Sequence, residues 1–373
     1  MPLIDGGEIV VDGFQGVILT SPTSNQRRQY QRRKEEEAAL SRDLEQLAPG
    51  HCVTPDGHRT RLWVNTGLFS DVARSLDRGA EGVGLYRTEI HFMMNEAFPT
   101  EESQRQIYRD HLQAFAPRAV TMRTLDIGGD KSLPYFPIQE ENPFLGWRGI
   151  RVSLDHPEIF IAQIRAMIRA SEGIDCYLRI MLPMVSSVTE IDMAKQLIDQ
   201  CLQEVLEEGA DVKRPDIGVM IEVPAAVFQA EEILQRVDFL SVGSNDLVQY
   251  MLAVDRNNAQ VASLYQEYHP AVLKALSQVA AAATLAGKGS GICGEMAGNP
   301  GAALLLMAMG YQVLSMNSPN LLVVKKVLTS ISMKAAKKVL KQALALESAQ
   351  EVKALVDQTL TDAGLEQLIR NRA

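Results

Sequence analysis

The sequence has few cysteines, no excess of basic residues and no long apolar run, and each shortage excludes a class of protein. The four cysteines, Cys52, Cys176, Cys201 and Cys293, lack the CxxC spacing of zinc sites. They are also too sparse for a disulfide framework, which favours a location in the cytoplasm. The formal net charge of -9 argues against nucleic acid as a partner, because nucleic-acid phosphates bind to basic surfaces.

Membrane and secretory features are missing as well. The longest apolar stretches, such as residues 302–309, are too short to span a bilayer, so we expect no membrane partner. The N-terminal segment MPLIDGGEIVVDG has no basic region followed by an apolar core, and we expect no signal peptide. What remains is an ordinary globular composition, with 46% hydrophobic and 22% charged residues. The length of 373 residues suits one large α/β barrel, which needs about 250 residues plus insertions.

Short apolar runs alternate with amphipathic segments from residue 60 onwards. Eight of these runs have the length of buried strands: 61–65, 82–86, 119–124, 177–183, 217–223, 239–242, 290–293 and 312–316. Segments with helical periodicity lie between them at 160–171, 188–208, 225–235 and 270–286. Eight strands that alternate with helices predict an α/β fold. It is either a (β/α)8 TIM barrel or an open doubly wound sheet, which periodicity alone does not separate.

The ends of the chain have a different character. Two short strands are predicted at 8–11 and 16–19, and two such strands cannot bury a core by themselves. Residues 24–47 are rich in Arg, Glu and Gln and predict an exposed helix, whose basic run is typical of a solvated face. Residues 333–370 predict further helices. We therefore expect three parts: the end of another domain (1–22), a helical linker (23–58) and a barrel with C-terminal helices (59–373).

Polar side chains follow the predicted strands, which is where an α/β barrel collects its chemistry. Four cations lie at such positions: Arg87, Arg123, Lys131 and Arg256. Their guanidinium forks and ammonium charge suit a small polyanion. Two carboxylates, Glu222 and Asp246, follow neighbouring strands and offer the hard oxygen ligands of Mg²⁺. Each residue alone has an ordinary explanation as a surface ion pair or a helix cap. Together they favour phosphoryl transfer, in which catalysis is mostly positioning and charge neutralisation.

These residues lie within or beside seven distinctive stretches: EGVGLYRTE at 81–89, RTLDIGGDK at 123–131, NPFLGWR at 142–148, MIEVPAA at 220–226, SNDLVQY at 244–250, AVDR at 253–256 and GICGEMAG at 291–298. Together the stretches resemble the motifs of Enzyme I, the phosphoenolpyruvate-protein phosphotransferase family. They follow the family's order over residues from about 60 to 330. The combination is far more specific than a lone glycine motif.

This resemblance implies a fold and a role for each residue. The fold would be a (β/α)8 TIM barrel of the phosphoenolpyruvate/pyruvate domain type. The residues that would contact phosphoenolpyruvate are Arg87, Arg123, Lys131, Asn245, Asp246 and Arg256. Glu222 and Asp246 would hold Mg²⁺. Cys293 would be the catalytic proton donor to the enolate that remains when the phosphoryl group leaves, which yields pyruvate. A thiol with a pKa of about 8.5 stays largely protonated at neutral pH and can act as that acid.

The resemblance also implies partners. In the family, a histidine on a separate domain accepts the phosphoryl group within a GGxxSHxA-type motif and passes it to an HPr-like phosphocarrier protein. None of the six histidines of this sequence stands in such a motif, and residues 1–22 resemble the last strands of that phosphohistidine domain. We expect a fragment that forms a homodimer, binds phosphoenolpyruvate and turns over poorly alone. Residues 147–155 and 254–258 are closer to the nitrogen-branch paralogue of the family.

Two other functions are compatible with the same motifs. Pyruvate phosphate dikinase and phosphoenolpyruvate synthase share the barrel and its Arg, Glu, Asp and Cys pattern. The GGDK stretch and the short distance from the eighth strand to the last residue favour Enzyme I over them. A phosphoenolpyruvate-sensing module would bind the same ligand without turnover, so formation of pyruvate separates the enzyme from the sensor.

Overall fold

The computed structural model describes residues 8–13 and 16–370, with backbone only for residues 369 and 370. The strands are β1 (Val10–Asp12), β2 (Val17–Leu19), β3 (Cys52–Val53), β4 (Arg59–Thr66), β5 (Gly82–Arg87), β6 (Ala119–Arg123), β7 (Tyr177–Leu182), β8 (Asp216–Ile221), β9 (Phe239–Val242), β10 (Gly289–Ile292) and β11 (Val313–Met316). The helices are α1 (Ser24–Glu45), α2 (Asp71–Asp77), α3 (Glu89–Met93), α4 (Glu101–Phe115), α5 (Ile150–Asp155), α6 (Pro157–Ala170), α7 (Val188–Glu207), α8 (Pro224–Phe228), α9 (Ala230–Leu234), α10 (Ser244–Leu252), α11 (Pro270–Leu285), α12 (Pro300–Met309), α13 (Leu321–Ser330), α14 (Met333–Ala343), α15 (Ala349–Asp362) and α16 (Gln367–Arg370).

Strands β4 to β11 form a closed parallel barrel. Each strand pairs with the next along the chain, and β11 returns to pair with β4, where Leu314 lies opposite Leu62. This closing pair decides between the two predicted folds, because an open doubly wound sheet leaves two free edges. The prediction of a (β/α)8 TIM barrel is confirmed, and all eight predicted strands are present. The short strand β3 was not predicted; it pairs antiparallel with the start of β4.

The outer faces of the strands pack against the helices. Val83, Ile180 and Val219 are fully buried and belong to the main apolar core between barrel and helices. Helix α12 is buried on nearly all sides, which explains why its sequence is apolar all round rather than amphipathic. The predicted continuous helix at 225–235 is wrong in one respect. Helices α8 and α9 are separated at Gln229, whose ψ of 18° leaves the helical range and whose side chain donates to the carbonyl of Ser186 at 3.1 Å.

A small apolar layer crosses the inside of the barrel. Side chains alternate between the two faces of a strand, so Met181 and Met220 point inwards while their neighbours join the outer core. Leu85, Phe239 and Cys293 complete this layer. It separates the space at the carboxyl ends of the strands from the space at their amino ends.

The N-terminal elements lie outside the barrel. Strands β1 and β2 pair antiparallel, with Val11 opposite Ile18. Helix α1 begins at a capping box formed by Thr23 and Gln26, is largely exposed, and contacts the barrel helices near Leu44. The predicted helix at 24–47 is therefore present, whereas residues 1–7, 14–15 and 371–373 of the predicted parts lie outside the described residues. Within the described ranges, no helix has the length and hydrophobicity to cross a membrane.

Candidate active site

A cavity of about 390 Å³ lies where the barrel strands end at their carboxyl termini. It is lined by all eight predicted site residues: Arg87, Arg123, Lys131, Glu222, Asn245, Asp246, Arg256 and Cys293. The structure thus brings together residues from Arg87 to Cys293, which lie far apart in the chain. We call this space the upper cavity.

Strand ends and one tight turn deliver these side chains to the upper cavity. Arg87 and Arg123 are the last residues of β5 and β6 and lie opposite each other in the sheet. Lys131 is placed by a turn at Gly128 and Gly129, whose φ values of 100° and 65° favour glycine. A side chain at Gly128 would also collide with the backbone, because its Cβ would lie 2.5 Å from the carbonyl oxygen of residue 147. Backbone conformation and steric space therefore explain the two glycines of the GGDK stretch.

Arg123 and Lys131 are held by two buried carboxylates. Nη1 of Arg123 lies 2.9 Å from Oδ2 of Asp126, and its Nη2 pairs with Glu89. Nζ of Lys131 pairs with Asp126 and lies 3.3 Å from Oε1 of Glu89. Burial alone would raise the pKa of Asp126, but the surrounding cations hold it well below its usual value. The two cations are therefore fixed in place before any ligand arrives.

Arg148 is the functional residue that sequence reasoning missed. Its side chain is fully buried, and it bridges two acids: Nε lies 3.1 Å from Oδ1 of Asp126, and Nη2 lies 3.0 Å from Oδ2 of Asp246. Burial disfavours its charge, yet these two acids raise the pKa of Arg148 above its ordinary value. Arg148 follows a loop, whereas the other cations were predicted because they follow strands. Its position in the NPFLGWR stretch was the sequence feature that could have identified it.

Glu222 has one satisfied and one unsatisfied oxygen. Oε1 accepts a hydrogen bond from the backbone nitrogen of Met184 at 2.7 Å. Oε2 is buried and has no hydrogen-bond partner among the described residues. Burial and the nearby charges of Asp246 and Asp126 raise the pKa of Glu222 to about 8. A buried acceptor without a donor costs free energy, so this oxygen suits a cation that binds beside Asp246.

The carboxylates of the upper cavity fit a divalent cation as a pair of ligands and not as a complete protein cage. In the described portion of the chain, no group of three or more His, Cys, Asp or Glu side chains is arranged to hold a metal ion. Glu222 and Asp246 would supply two carboxylates, and Asp246 already pairs with Arg148 and lies 3.8 Å from Arg256. Mg²⁺ commonly takes one or two carboxylates and completes its shell with substrate and water oxygens. The pair matches that pattern.

Cys293 lies at the floor of the upper cavity and is 3% exposed. Its thiol donates to the carbonyl of Val242 at 3.5 Å, and burial raises the pKa of Cys293 to about 11. Asn65, another residue missed from the sequence, donates to the carbonyl of Cys293 at 3.0 Å. Ser315 in turn donates to Oδ1 of Asn65 at 2.7 Å. The thiol is thus protonated at neutral pH and hydrogen-bonded to the neighbouring strand β9, while Asn65 of β4 holds the backbone carbonyl of the same residue.

The remaining predicted residues differ in how they are held. Oδ1 of Asn245 accepts from the backbone nitrogen of Glu295 at 2.8 Å, which orients its amide group. The backbone nitrogen of Arg256 donates to Gln249 at 3.3 Å. The Arg87 guanidinium makes no hydrogen bond or ion pair with residues of the described ranges, so its donors are available to a ligand.

Fold and site together define a (β/α)8 barrel whose strand ends bring four cations, several carboxylates and a protonated thiol to one cavity. Residues 41–333 match the family described as "PEP-utilising enzyme, PEP-binding domain". The chain belongs to this family. It is 45% identical to a protein of Salmonella typhimurium called "Phosphoenolpyruvate-dependent phosphotransferase system", over 97% of this chain and 48% of that protein.

Other relatives agree with this assignment. The protein of the same name from Escherichia coli is 44% identical over 97% of this chain and 48% of its own length. The phosphoenolpyruvate-protein phosphotransferase of Staphylococcus carnosus is 40% identical over 96% of this chain and 62% of its own length. The predicted resemblance is confirmed, and the chain spans about half the length of the first two relatives.

Proposed function

We propose that this chain is the catalytic phosphoenolpyruvate-binding domain of a phosphoenolpyruvate-protein phosphotransferase. The phosphoryl group of phosphoenolpyruvate passes to a histidine on another domain, and pyruvate is released. One observation carries the proposal: a single cavity brings together four cations, the proposed metal ligands Glu222 and Asp246, and a protonated thiol. None of the described residues that line it is a histidine, which agrees with an acceptor supplied from elsewhere.

Phosphoenolpyruvate carries its negative charge on a carboxylate and a phosphate, and the cations of the upper cavity divide between fixed and available ones. Arg123 and Lys131 are immobilised by Glu89 and Asp126. Arg87 retains free donors and can form two parallel hydrogen bonds with an oxyanion. This arrangement stabilises charge without reorganising as the phosphoryl group moves, which is the main source of catalysis in such transfers.

The transfer breaks the bond between the enol oxygen and phosphorus while a bond from phosphorus to the acceptor nitrogen forms. The enolate that remains takes a proton on its methylene carbon, and we propose that the Cys293 thiol donates it. The raised pKa keeps this thiol protonated at neutral pH. Mg²⁺, held by Glu222 and Asp246, would add charge neutralisation at the transferring group.

The wider assignments follow from this proposal. We propose that residues 1–22 are the end of a phosphohistidine domain, that 23–58 link it to the barrel, and that 59–373 form the catalytic unit. The phosphohistidine would pass its phosphoryl group to an HPr-like carrier in the cytoplasm. The exposed helix α1 suits a linker, because it rests on the barrel only near Leu44.

We also propose that the domain forms a homodimer beside the upper cavity. The segment after β5 carries Met93 and Met94, which are 46% and 72% exposed, and Met93 also lines the upper cavity. Exposed apolar side chains next to each other suit a subunit contact. Sedimentation at high micromolar concentration with phosphoenolpyruvate and Mg²⁺ tests this proposal, and a persistent monomer would contradict it.

Titration calorimetry tests the binding proposal directly. Phosphoenolpyruvate affinity of the wild-type chain should rise at least about 10-fold when Mg²⁺ is present, because the ion neutralises the carboxylates of the cavity. Glu222→Gln removes a charge at the metal position and should lose most of this gain. Glu231→Gln, an exposed change on α9, is the matched control and should retain it. Equal affinity with and without Mg²⁺ in the wild type would exclude the metal site.

A further inference from the structure

The amino end of the barrel contains a second cavity, of about 440 Å³. Its lining includes the first residues of several strands, among them Tyr177 and Phe239, which places it on the face opposite the upper cavity. Barrel interiors are usually filled by bulky branched side chains. Here three glycines and several polar side chains, among them Arg179 and Thr121, form part of the lining. We call it the lower cavity.

Arg179 lies in the lower cavity without an ionic partner. Its guanidinium carbon is 3.6 Å from the ring centroid of Phe239 and 5.3 Å from that of Trp63. The side chain makes no hydrogen bond or ion pair with residues 8–13 and 16–370, and its Nε is buried. Burial lowers the pKa of Arg179 to about 10, which still leaves it charged at neutral pH. The barrel therefore holds a charged guanidinium whose donors have no acceptor among the described residues.

The acidic residues of the lower cavity do not accept hydrogen bonds from the Arg179 guanidinium. Asp216 accepts a hydrogen bond from the Tyr177 hydroxyl. Oδ2 of Asp238 accepts from the backbone nitrogen of Ile217 at 2.8 Å and lies 3.3 Å from Arg214. Both acids act on Arg179 only at longer range, since no described carboxylate lies within 4.0 Å of it. Asp216 and Asp238 therefore already have other partners, whereas the Arg179 guanidinium has none among the described residues.

Other polar groups around Arg179 are also without partners. Nε1 of Trp63 and Oγ1 of Thr121 are buried and lack hydrogen-bond partners among the described residues. Trp63 and Thr121 are 6% and 1% exposed, and both line the lower cavity. Arg61 adds a second guanidinium at the rim. Unpaired donors and positive charge in one space call for a ligand that brings acceptors and negative charge.

We propose that the lower cavity binds a small oxyanion, a carboxylate or a phosphate, through the guanidinium of Arg179. Arginine forks match the geometry of both groups and bind them with two parallel hydrogen bonds. Stacking on Phe239 and Trp63 fixes the plane of the fork, so little rotamer entropy is lost when the anion binds. The site is distinct from the upper cavity, because the two are lined by different residues and separated by the apolar layer of Met181, Met220 and their neighbours.

Tryptophan fluorescence tests this site without interference from the upper cavity. The sequence has two tryptophans, so Trp147→Phe leaves Trp63 as the only reporter. Inorganic phosphate and succinate are titrated separately into this protein, up to about 20 mM. We expect a saturable change in Trp63 emission with at least one of them. Saturation by phosphate alone assigns a phosphate site, saturation by succinate alone assigns a carboxylate site, and saturation by both assigns a general oxyanion site.

Variants in the same background identify the binding group. Arg179→Met should weaken the titration at least about 10-fold, and Arg179→Lys, which keeps the charge but loses the fork, should weaken it less. Arg214→Gln removes a cation from the same end of the barrel outside the cavity lining, and it should change the affinity by less than about 2-fold. If neither anion saturates, or if Arg179→Met and Arg179→Lys both titrate like the parent, the proposal is wrong.

Discussion

Buried arginines at the two ends of the barrel differ in how they are paired. At the carboxyl end, Arg123 in the upper cavity and Arg148 behind it are each held by buried acids at about 3 Å. In the lower cavity, Arg179 stacks on Phe239 and has no carboxylate within 4.0 Å among the described residues. Paired cations provide a fixed electrostatic field for a reaction, whereas an unpaired cation has donors that can bind a ligand. We therefore propose that arginine stabilises charge at one end of the barrel and binds an anion at the other.

The largest expected effect is a difference in the free energy of unfolding between two variants, one that removes a paired arginine and one that removes an unpaired arginine. Arg148→Met leaves Asp126 and Asp246 without a bridging charge inside the protein, which should lower the free energy of unfolding by about 3–5 kcal/mol. Phosphoenolpyruvate binding should be lost with it, because Asp246 loses its closest partner. Arg179→Met removes a buried charge that lacks a partner, so stability should stay the same or rise. Urea unfolding of both variants measures the difference.

A stability loss in Arg179→Met as large as that in Arg148→Met would break the comparison between the cavities. It would mean that an interaction at the lower mouth holds Arg179 as firmly as Asp126 holds Arg148. Lys34→Met on the exposed face of α1 is the control for the loss of a positive charge, and it should leave the free energy of unfolding unchanged.

The second effect concerns the proton donor at the floor of the upper cavity. Cys293→Ala should leave phosphoenolpyruvate affinity within about 3-fold, because the thiol adds little ground-state contact. With a separately supplied phosphohistidine domain, pyruvate release should fall by about 10²–10⁴-fold, the usual contribution of a positioned acid. A lactate dehydrogenase-coupled assay measures it. Cys201→Ala, a buried thiol on α7, is the matched control and should retain the rate.

Two results would argue against this role. Full activity of Cys293→Ala would assign the proton to another group. Rapid pyruvate formation by this chain alone would show that it contains its own phosphoryl acceptor. Without the second domain we expect almost no pyruvate, and with it only slow transfer, because a free domain lacks the effective concentration that a tether provides.

The sequence predicted the barrel well because its strands are buried on both faces. The run GVGLYR of β5 is almost entirely buried, so it appears in the sequence as a continuous apolar segment ending in a charge. The same rule predicted the ends of all eight strands and six of the residues that line the upper cavity, whereas Asn245 and Cys293 came from the family resemblance. Arg148 escaped the rule because it follows a loop, and its pairing with Asp126 and Asp246 depends on tertiary structure. The break at Gln229 depends on a tertiary contact with Ser186, which periodicity does not contain.

The lower cavity could not be predicted for a related reason. Its lining comes from residues of all eight barrel strands and the loops between them, and local sequence patterns do not encode how distant strands are aligned. Arg179 stands in the middle of the apolar run YLRIML, where an arginine in a strand is most simply interpreted as an outward side chain. Only the barrel shows that it lies between Phe239 and Trp63.

The smallest expected effect on stability concerns an acidic residue, Glu267, that is unpaired like Arg179. Glu267 lies in a third cavity beside Glu295, and its side chain makes no hydrogen bond or ion pair with the described residues. Like Arg179, it is a partly buried charged group that has no hydrogen-bond or ion-pair partner among the described residues. Burial, followed by the charge of Glu295, raises the pKa of Glu267 from 4.5 to about 7. A raised carboxyl pKa means that the folded protein prefers the neutral form.

The sign of the pH dependence follows from that preference. Below pH 4.5 the carboxyl is neutral in both states, and above pH 7 it is charged in both, so the folded state bears the cost of burying the charge. This contribution to stability is therefore present at low pH and lost as the pH rises from 4.5 through 7. Glu267→Gln removes the titration and should raise the free energy of unfolding by about 2 kcal/mol at pH 8, with little change at pH 5. Glu37→Gln, on the exposed face of α1, should show no such difference. Urea unfolding at the two pH values measures it, and an equal effect of Glu267→Gln at both would mean that an uncharged contact, rather than the buried charge, sets the stability there.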